Sequence, residues 1–278
     1  MKEILHAKLK SCNNISDFLL FWLSNSTILR NKDTFDRYYR NYLRNFSPRL
    51  QKFYQSQSSE VAEMILQKKK PTLLDIGCGC GTETLWFTGL GAESTGIDVG
   101  NAMIEVARER KKILEDALEE NISCQFNAAS IFNLNPRYVK FDIIWMQQTF
   151  HHIEPREDLI PLLFTLLNDG GALIISESNA WNPFIQFSLL KRRGLKTIIQ
   201  IEERGQPIPW GNERIITPIG LMRTLRRHGF MVGSPRYFRL LPSNKIFDKF
   251  SFLETIWPRA LFPAFTHYNL VAQKPSSV

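Results

Sequence analysis

Short apolar runs alternate with stretches of helical periodicity through the middle of the chain. The apolar runs predict strands at 72–76, 94–98, 122–126, 141–146 and 171–177. The periodic stretches between them predict helices near 82–90, 101–119 and 155–168. This alternation is typical of a parallel β-sheet covered by helices, so the pattern predicts an α/β fold.

The region before this alternation has a different pattern. Residues 1–70 are rich in aromatic residues and Arg, have no strand pattern, and are predicted to form a helical N-terminal cap. One helical face carries Ile15, Phe18 and Trp22, which favours an amphipathic helix over a signal peptide. The cap is therefore expected to pack its apolar face onto the rest of the protein.

The region after residue 177 is mixed. We predict a helix near 217–228 and strands near 231–240 and 266–273. The segments 178–214 and 241–265 are predicted inserts in a domain that spans 71–278. In the second insert, one helical face is expected to carry Ile246, Phe250, Leu253 and Trp257.

The composition narrows the class of protein only slightly. Hydrophobic residues make up 44% of the 278 residues, which is enough for a sizeable core, and no apolar run reaches the roughly 18 residues that span a bilayer. The net charge of +8 permits an anionic partner but also fits a solvated surface. The four cysteines have no metal-ligand spacing, so we expect a reduced, cytoplasmic protein without a bound metal.

The most informative stretch is DIGCGCG, which links the first predicted strand to a helix. Gly77, Gly79 and Gly81 permit positive φ and leave room for a ligand beside the backbone, and the helix N-terminus adds free N–H donors. The spacing differs from the G-x-G-x-x-G of dinucleotide sites. Asp75 precedes the first glycine by two residues, which disfavours a pyrophosphate and favours a cationic cofactor.

This stretch resembles the first motif of the class I S-adenosylmethionine-dependent methyltransferases. Other motifs of that superfamily are similar to GIDVG (96–100), FDIIWMQQTFHHIEP (141–155), LNDGGALIISE (167–177), LRRHGF (225–230) and HYNLVAQKP (267–275). The resemblance, to the small-molecule type 11/12 branch, implies a Rossmann-like sheet of seven strands, mostly parallel with the last antiparallel, and helices on both faces. The cap and the inserts are then expected to form a lid.

The resemblance implies S-adenosylmethionine as the cofactor. Asp75 would hold its ammonium group and Asp98 its ribose hydroxyls, while Ser130 stands where the superfamily usually has an acid for the adenine. The implied cofactor-binding residues are Asp75, Gly77, Cys78, Gly79, Gly81, Asp98, Val99, Met103, Ser130 and Gln147.

The end of the predicted fourth strand bears on the acceptor. The sequence MQQT replaces the Asn/Asp-Pro-Pro-aromatic motif of enzymes that methylate exocyclic amino groups of bases, and the following FHHI resembles the small-molecule branch. An oxygen acceptor must lose a proton, for which His152 is the first candidate base. His151 and Glu177 are the alternatives, and His152 could instead be a structural histidine.

The segments outside the shared motifs are expected to carry specificity. Trp181, Phe184 and Trp210 are the candidate acceptor-binding residues, because ligand pockets are mostly apolar. Packing of a long loop is an equally open interpretation for each of them. The apolar helices of the cap and second insert are expected to cap the pocket, form a homodimer or lie on a membrane surface.

Together these features predict a methyltransferase that acts on a small, rather apolar acceptor of natural-product or lipid-like character, at oxygen. Two alternatives stay open. One keeps the chemistry but makes RNA or protein the acceptor, although the strand-four sequence argues against nucleic acid. The other is a non-catalytic partner protein that retains the fold.

Overall fold

The structure is a computed structural model that describes residues 11–195, 198–203, 206–212, 214–241 and 245–276. Within these ranges it describes the side chains except at 192–193, 198–203, 206–212, 245 and 259–260. The chain divides into two compact units. The first comprises Met1–Leu134, Ile143–Trp145 and Ser243–Asp248, and the second comprises Asn135–Asp142, Met146–Pro242 and Lys249–Val278.

Helices make up the N-terminal part of the first unit. They are α1 (Ile15–Ser24), α2 (Lys32–Tyr38), α3 (Arg40–Arg44) and α4 (Pro48–Leu66). The side chain of Asn14 accepts hydrogen bonds from the first N–H groups of α1, which fixes where that helix begins. Ile15, Phe18 and Trp22 are buried, so the predicted amphipathic helix is confirmed.

The remainder of the first unit is a parallel sheet segment with helices after its first two strands. The elements are β1 (Thr72–Ile76), α5 (Thr82–Gly89), β2 (Glu93–Asp98), α6 (Asn101–Leu118) and β3 (Cys124–Ala128). Strand β2 pairs in parallel with both β1 and β3. One buried cluster joins the aromatic side chains of α1 and α2 to apolar residues of α5, α6 and β3, so the N-terminal helices share the core of this unit.

Strand β4 (Phe141–Gln147) is divided between the two units: its central residues Ile143–Trp145 belong to the first and its ends to the second. The second unit contains the elements that follow. Its helices are α7 (Arg156–Leu166), α8 (Pro183–Arg193), α9 (Pro218–Arg227) and α11 (Leu253–Ile256), while α10 (Lys245–Asp248) belongs to the first unit. Its strands are β5 (Leu167–Ser178), β6 (Ile198–Glu203), β7 (Gln206–Asn212), β8 (Met231–Val232), β9 (Arg236–Phe238) and β10 (His267–Gln273). Strand β10 is antiparallel to β5, β8 and β9.

The strand order of the central sheet is β3-β2-β1-β4-β5-β10-β8, with β9 paired to β10. The predicted fold class is confirmed: the sheet is mostly parallel, its edge includes antiparallel pairing, and helices lie around it. Within the described ranges the sheet has eight strands rather than seven, because the predicted strand 231–240 is divided. Pro235 lies at that division and cannot donate a ladder hydrogen bond.

Local structure differs from the expectations at three other points. Strand β3 begins at Cys124 rather than Ile122, because a tight turn joins the Cys124 N–H to the Ile122 carbonyl at 2.8 Å. The insert 178–214, for which a long loop was an open interpretation, contains α8 and the antiparallel strand pair β6 and β7. The predicted apolar helix in 241–265 is instead two helices of four residues, α10 and α11, followed by a 3-10 helix at Arg259–Ala264. The Glu254 carboxylate accepts hydrogen bonds from the Leu240 and Leu241 N–H groups, which ties α11 back to the chain before the insert.

Among the described residues, no helix is long and apolar enough to cross a membrane.

Candidate active site

The glycine loop between β1 and α5 is held in a conformation that only glycine adopts easily. Gly77, Gly79 and Gly81 have φ of 75°, 51° and 78°. The N–H groups of Gly77 and Cys78 donate to the Ile97 carbonyl at 2.8 and 3.1 Å. The loop is thereby fixed to the end of β2 and is a formed cradle for a ligand.

Asp98, the last residue of β2, bonds to this cradle and to the turn that follows β2. Its carboxylate accepts hydrogen bonds from the Gly79 N–H at 3.0 Å and from the Gly100 N–H at 2.8 Å. Burial raises the pKa of this carboxyl, while the backbone donors act in the opposite direction. The predicted ribose-binding acid therefore also fixes the loop.

Two further carboxylates lie at the loop. Asp75 is buried and accepts a hydrogen bond from the Thr84 hydroxyl at 2.5 Å. Burial, followed by the negative charge of Glu83, raises its pKa to about 8. Glu83 is buried in the first turn of α5 and accepts from the Tyr54 hydroxyl at 2.5 Å, and burial raises its pKa also. The ionised form of a buried acid is stabilised by a nearby cation and destabilised by a pyrophosphate. These residues therefore fit a cofactor that carries sulfonium and ammonium groups.

Sequence reasoning missed Glu83. The signal was present, since an acid in the first helical turn after a glycine loop lies near the loop's N–H donors and near Asp75.

Cys78 and Cys80 in the loop are packing residues. Both thiols are buried. Burial raises the pKa of Cys80 to about 12 and that of Cys78 well above its usual value. The Cys78 sulfur would lie 2.9 Å from a Cβ on Gly96, so it is directed at β2. Cys78 therefore borders the cradle with its backbone and not with its side chain.

The residues predicted to hold the adenine have differing surroundings. Val99 is 79% exposed beside Asp98. The end of the Met103 side chain fills the space in which a side chain on Gly100 would lie. The Ser130 hydroxyl accepts from the Phe132 N–H at 3.3 Å and caps the short helix Ile131–Asn133. Ser130 therefore stabilises the local backbone, and adenine binding by Ser130 stays a prediction.

In the second unit, the ends of β4 and β5 bring several predicted residues together. Gln147 ends β4, and its carbonyl accepts from the Thr149 hydroxyl at 2.9 Å. The next residue, Gln148, has φ of 50° and its side-chain oxygen accepts from the Ser178 hydroxyl at 2.7 Å. Sequence reasoning did not single out Gln148, because nothing in the residue type predicts its left-handed conformation.

His151 and Glu177 form a buried pair. The His151 Nδ1 lies 2.7 Å from a Glu177 carboxylate oxygen, and the His151 backbone N–H donates to the other oxygen at 3.3 Å. Both side chains are buried. Since a carboxylate accepts only, Nδ1 carries the hydrogen in this contact.

His152, the first candidate base, does not occupy this position. Its N–H donates to the Thr149 carbonyl at 2.9 Å, and its ring centroid lies 3.9 Å from that of His151. A third histidine, His267, was missed. It pairs with Ser178 across β5 and β10, and burial, followed by the charge of Arg239, lowers its pKa well below the usual value. His267 is therefore neutral at physiological pH.

Two of the candidate acceptor-binding residues lie at the start of α8, and the third lies on β7. Trp181 precedes the helix, is half exposed, and meets the Phe262 ring edge-on with centroids 6.3 Å apart. Phe184 lies in the first turn and is 79% exposed. Trp210 is on β7, and its side chain lies outside the part of the molecule that the structure describes.

Comparison with known proteins relates part of the chain to a known class of enzyme. Residues 74–173 match the family profile described as a methyltransferase domain. A ubiquinone biosynthesis O-methyltransferase of Nitrosococcus oceani is 33% identical over 108 residues, which cover 38% of this chain and 43% of the relative. The corresponding enzyme of Aeromonas salmonicida is 27% identical over 164 residues, covering 58% and 63%. The chain thus spans about half the length of the curated relatives that it matches.

Solved structures show the same fold. A S-adenosylmethionine-dependent methyltransferase of Methanosarcina mazei aligns with a TM-score of 0.55 and 18% identity over 76% of this chain and 95% of that one. The magnesium protoporphyrin IX methyltransferase of Synechocystis PCC 6803, solved with S-adenosylhomocysteine, aligns at 0.54 and 18% over 90% and 99%. Residues 74–173 are thus similar to a methyltransferase domain, and the chain has the fold of S-adenosylmethionine-dependent methyltransferases of known structure.

Proposed function

We propose that the protein transfers a methyl group from S-adenosylmethionine to a hydroxyl oxygen of a small, apolar acceptor. The observation that carries the oxygen assignment is the buried His151–Glu177 pair, with the two groups 2.7 Å apart. A hydroxyl acceptor needs a base, and a histidine oriented by a carboxylate is a base that operates near neutral pH.

The cofactor supplies an activated methyl group, so neither a metal nor a covalent enzyme intermediate is required. The chain's own residues would bind and orient the cofactor. The loop of Gly77, Gly79 and Gly81 offers backbone N–H groups and close approach, and Asp98 offers two acceptors for a diol. Asp75 and Glu83 lie in a low-dielectric position, where their ionised forms would attract a cation more strongly than in water.

His151 moves the proton. Glu177 would fix the tautomer, so that the Nε2 lone pair would accept the proton of the acceptor hydroxyl while the methyl group passes from the sulfonium sulfur to the oxygen and the neutral thioether is released. The resulting imidazolium is stabilised by the adjacent carboxylate, in the manner of the histidine and acid of a catalytic triad. His152, which the sequence favoured, would then help to position the loop rather than take the proton.

One observation supports an apolar acceptor and another supports a small one. Trp181 and Phe184 expose aromatic surface in the segment that follows β5, where ligands bind in this topology. Several curated relatives are named ubiquinone biosynthesis O-methyltransferases, which is consistent with a small-molecule oxygen acceptor.

The test compares matched acceptors in the presence of methyl-labelled S-adenosylmethionine. A panel of phenols and alcohols with apolar tails is offered beside the corresponding amines and the pre-methylated ethers. We expect label in at least one hydroxyl compound and none in its ether. Label confined to amines would contradict oxygen transfer, and label confined to RNA or protein added to the same reactions would contradict a small acceptor.

A further inference from the structure

The N-terminal helices of the first unit are hydrogen-bonded directly to the start of the helix that follows the glycine loop. The Tyr39 hydroxyl lies 2.6 Å from the Thr82 hydroxyl, and the Tyr54 hydroxyl donates to Glu83. Thr82 and Glu83 are the first two residues of α5. The aromatic helices therefore hold the part of the chain that forms the cofactor cradle.

A buried arginine strengthens this attachment. Arg110, on α6, is fully buried and donates from Nη1 to the Cys80 carbonyl at 2.5 Å and to the Thr82 hydroxyl at 2.9 Å. Its guanidinium lies over the rings of Trp22 and Phe35, with distances to the ring centroids of 4.5 and 5.4 Å. The same cation thus contacts both the loop and the cap.

Tyr38, the last residue of α2, reaches the loop itself. A side chain built on Gly79 would overlap the Tyr38 hydroxyl and ring, so the phenol lies directly against the Gly79 backbone. The N–H of Gly79 is bonded to Asp98 at 3.0 Å. Tyr38 therefore stands at the point of the loop that is joined to the candidate ribose acid.

Tyr38 differs from its neighbour in exposure. Tyr39 is 3% exposed and its hydroxyl is hydrogen-bonded, whereas Tyr38 is 47% exposed although its ring lies on the loop. The two rings meet edge to face with centroids 4.8 Å apart, which fixes the orientation of Tyr38. A fixed ring with an open surface beside a ligand cradle is arranged to contact a ligand.

We propose that Tyr38 contacts the bound cofactor and that its ring favours the charged sulfonium of S-adenosylmethionine over the neutral thioether of the demethylated product. A sulfonium carries charge but no N–H or O–H donor, so an aromatic ring is one of the few groups that can attract it directly. The proposal rests on the proposed cofactor. It adds a role for the N-terminal helices, which make the cradle selective for the methylated form.

The test measures the dissociation constants of both compounds by calorimetry for the wild type, Tyr38→Leu and Tyr38→Phe. Tyr42→Leu is the matched control, because Tyr42 lies in the same helical region but packs against Phe46 and Tyr54, with ring centroids 5.0 and 5.5 Å away. We expect Tyr38→Leu to weaken S-adenosylmethionine roughly tenfold and the demethylated product no more than about threefold. Tyr38→Phe and Tyr42→Leu should keep the wild-type ratio.

A fluorinated ring separates charge attraction from packing. Replacing Tyr38 by pentafluorophenylalanine keeps the ring but removes the negative charge of its face, so it should reduce the affinity ratio toward that of Tyr38→Leu. A wild-type ratio in both of these variants, or equal loss of both ligands with a lower melting temperature, would overturn the role of Tyr38. If the wild type binds neither compound, the proposed function fails as well.

Discussion

The proposed cofactor side and the proposed acceptor side of the protein are built in different ways. In the first unit, the cradle and the acids on either side of it form one continuous stretch, Asp75 to Glu83, which ends in the first turn of α5. In the second unit, the central pair joins residues 26 positions apart, His151 after β4 and Glu177 at the end of β5. A site formed by one continuous stretch can be predicted from a sequence motif. A site formed by residues after two different strands depends on how those strands are aligned in the sheet, which a motif does not show.

The largest expected effect lies on the acceptor side. His151→Gln should lower kcat by roughly 10²–10⁴-fold for an oxygen acceptor, because the proton then has no base. Cofactor affinity should be unchanged, since the cradle is built from the first unit. His152→Gln is the matched control and should cost less than about tenfold. If His152→Gln costs more than His151→Gln, the original choice of base was correct and the pair with Glu177 is structural.

The next largest effect lies on the cofactor side. Asp98→Asn should weaken S-adenosylmethionine binding by roughly 10- to 100-fold. The single oxygen of an amide cannot accept hydrogen bonds from the Gly79 and Gly100 N–H groups and also from the two ribose hydroxyls. Glu93→Gln is the control, since Glu93 is an exposed acid on the same strand. Calorimetry checks this prediction. Equal affinities in the two variants would mean that Asp98 only holds the loop.

The Asp75 carboxyl makes the cofactor side sensitive to pH. Its pKa is raised to about 8, so the free protein is most stable with this group protonated. The contribution of Asp75 to stability is complete below its ordinary value near 4 and is lost as the pH rises toward 8. Between pH 5 and 8 the melting temperature of the free protein should fall, and Asp75→Asn should make this fall smaller.

The same titration should act on cofactor binding with the opposite sign. An ammonium group prefers the ionised carboxylate, so affinity should increase several-fold per pH unit between pH 6 and 8. Calorimetry at three pH values with the wild type and Asp75→Asn separates the titration of the Asp75 carboxyl from that of every other group. An affinity that falls with pH in the wild type would contradict the role of Asp75.

The smallest effect is expected in α8. Phe184→Ser should leave the melting temperature unchanged, because the side chain is 79% exposed, but should raise the KM for an apolar acceptor a few-fold. Leu189→Ala in the same helix is the contrast, since Leu189 is buried and its loss should destabilise the protein by about 2–5 kcal/mol. An unchanged KM in Phe184→Ser would remove that residue from the acceptor site.

Much of the core fold could be predicted because its signals are local. The strands that begin at Thr72 and Phe141 lie where the apolar runs predict them, and α5 and α6 follow the helical periodicity. The errors fall where tertiary contacts decide. The turn at Ile122 and the division of 241–265 depend on hydrogen bonds to the backbone and to Glu254, which no periodicity shows.

The same distinction holds for the sites. Asp75, the glycine loop and Asp98 follow from chemistry and motif, but the raised pKa of Asp75 depends on Glu83 and on burial. The sequence offered two adjacent histidines as bases, and only the register of β4 against β5 could show that His151 meets Glu177. Tyr38 was not foreseen, because its contact with Gly79 joins segments 41 residues apart.

The central claim is that the loop with its buried carboxylates binds a cationic cofactor. The direct measurement is calorimetric titration of the wild-type protein, at pH 8 and without acceptor, with S-adenosylmethionine, its demethylated product and NAD in turn. The account predicts saturable binding of the first two compounds, tighter for the sulfonium, and none of NAD. Tight binding of NAD with no response to S-adenosylmethionine or its product would contradict it.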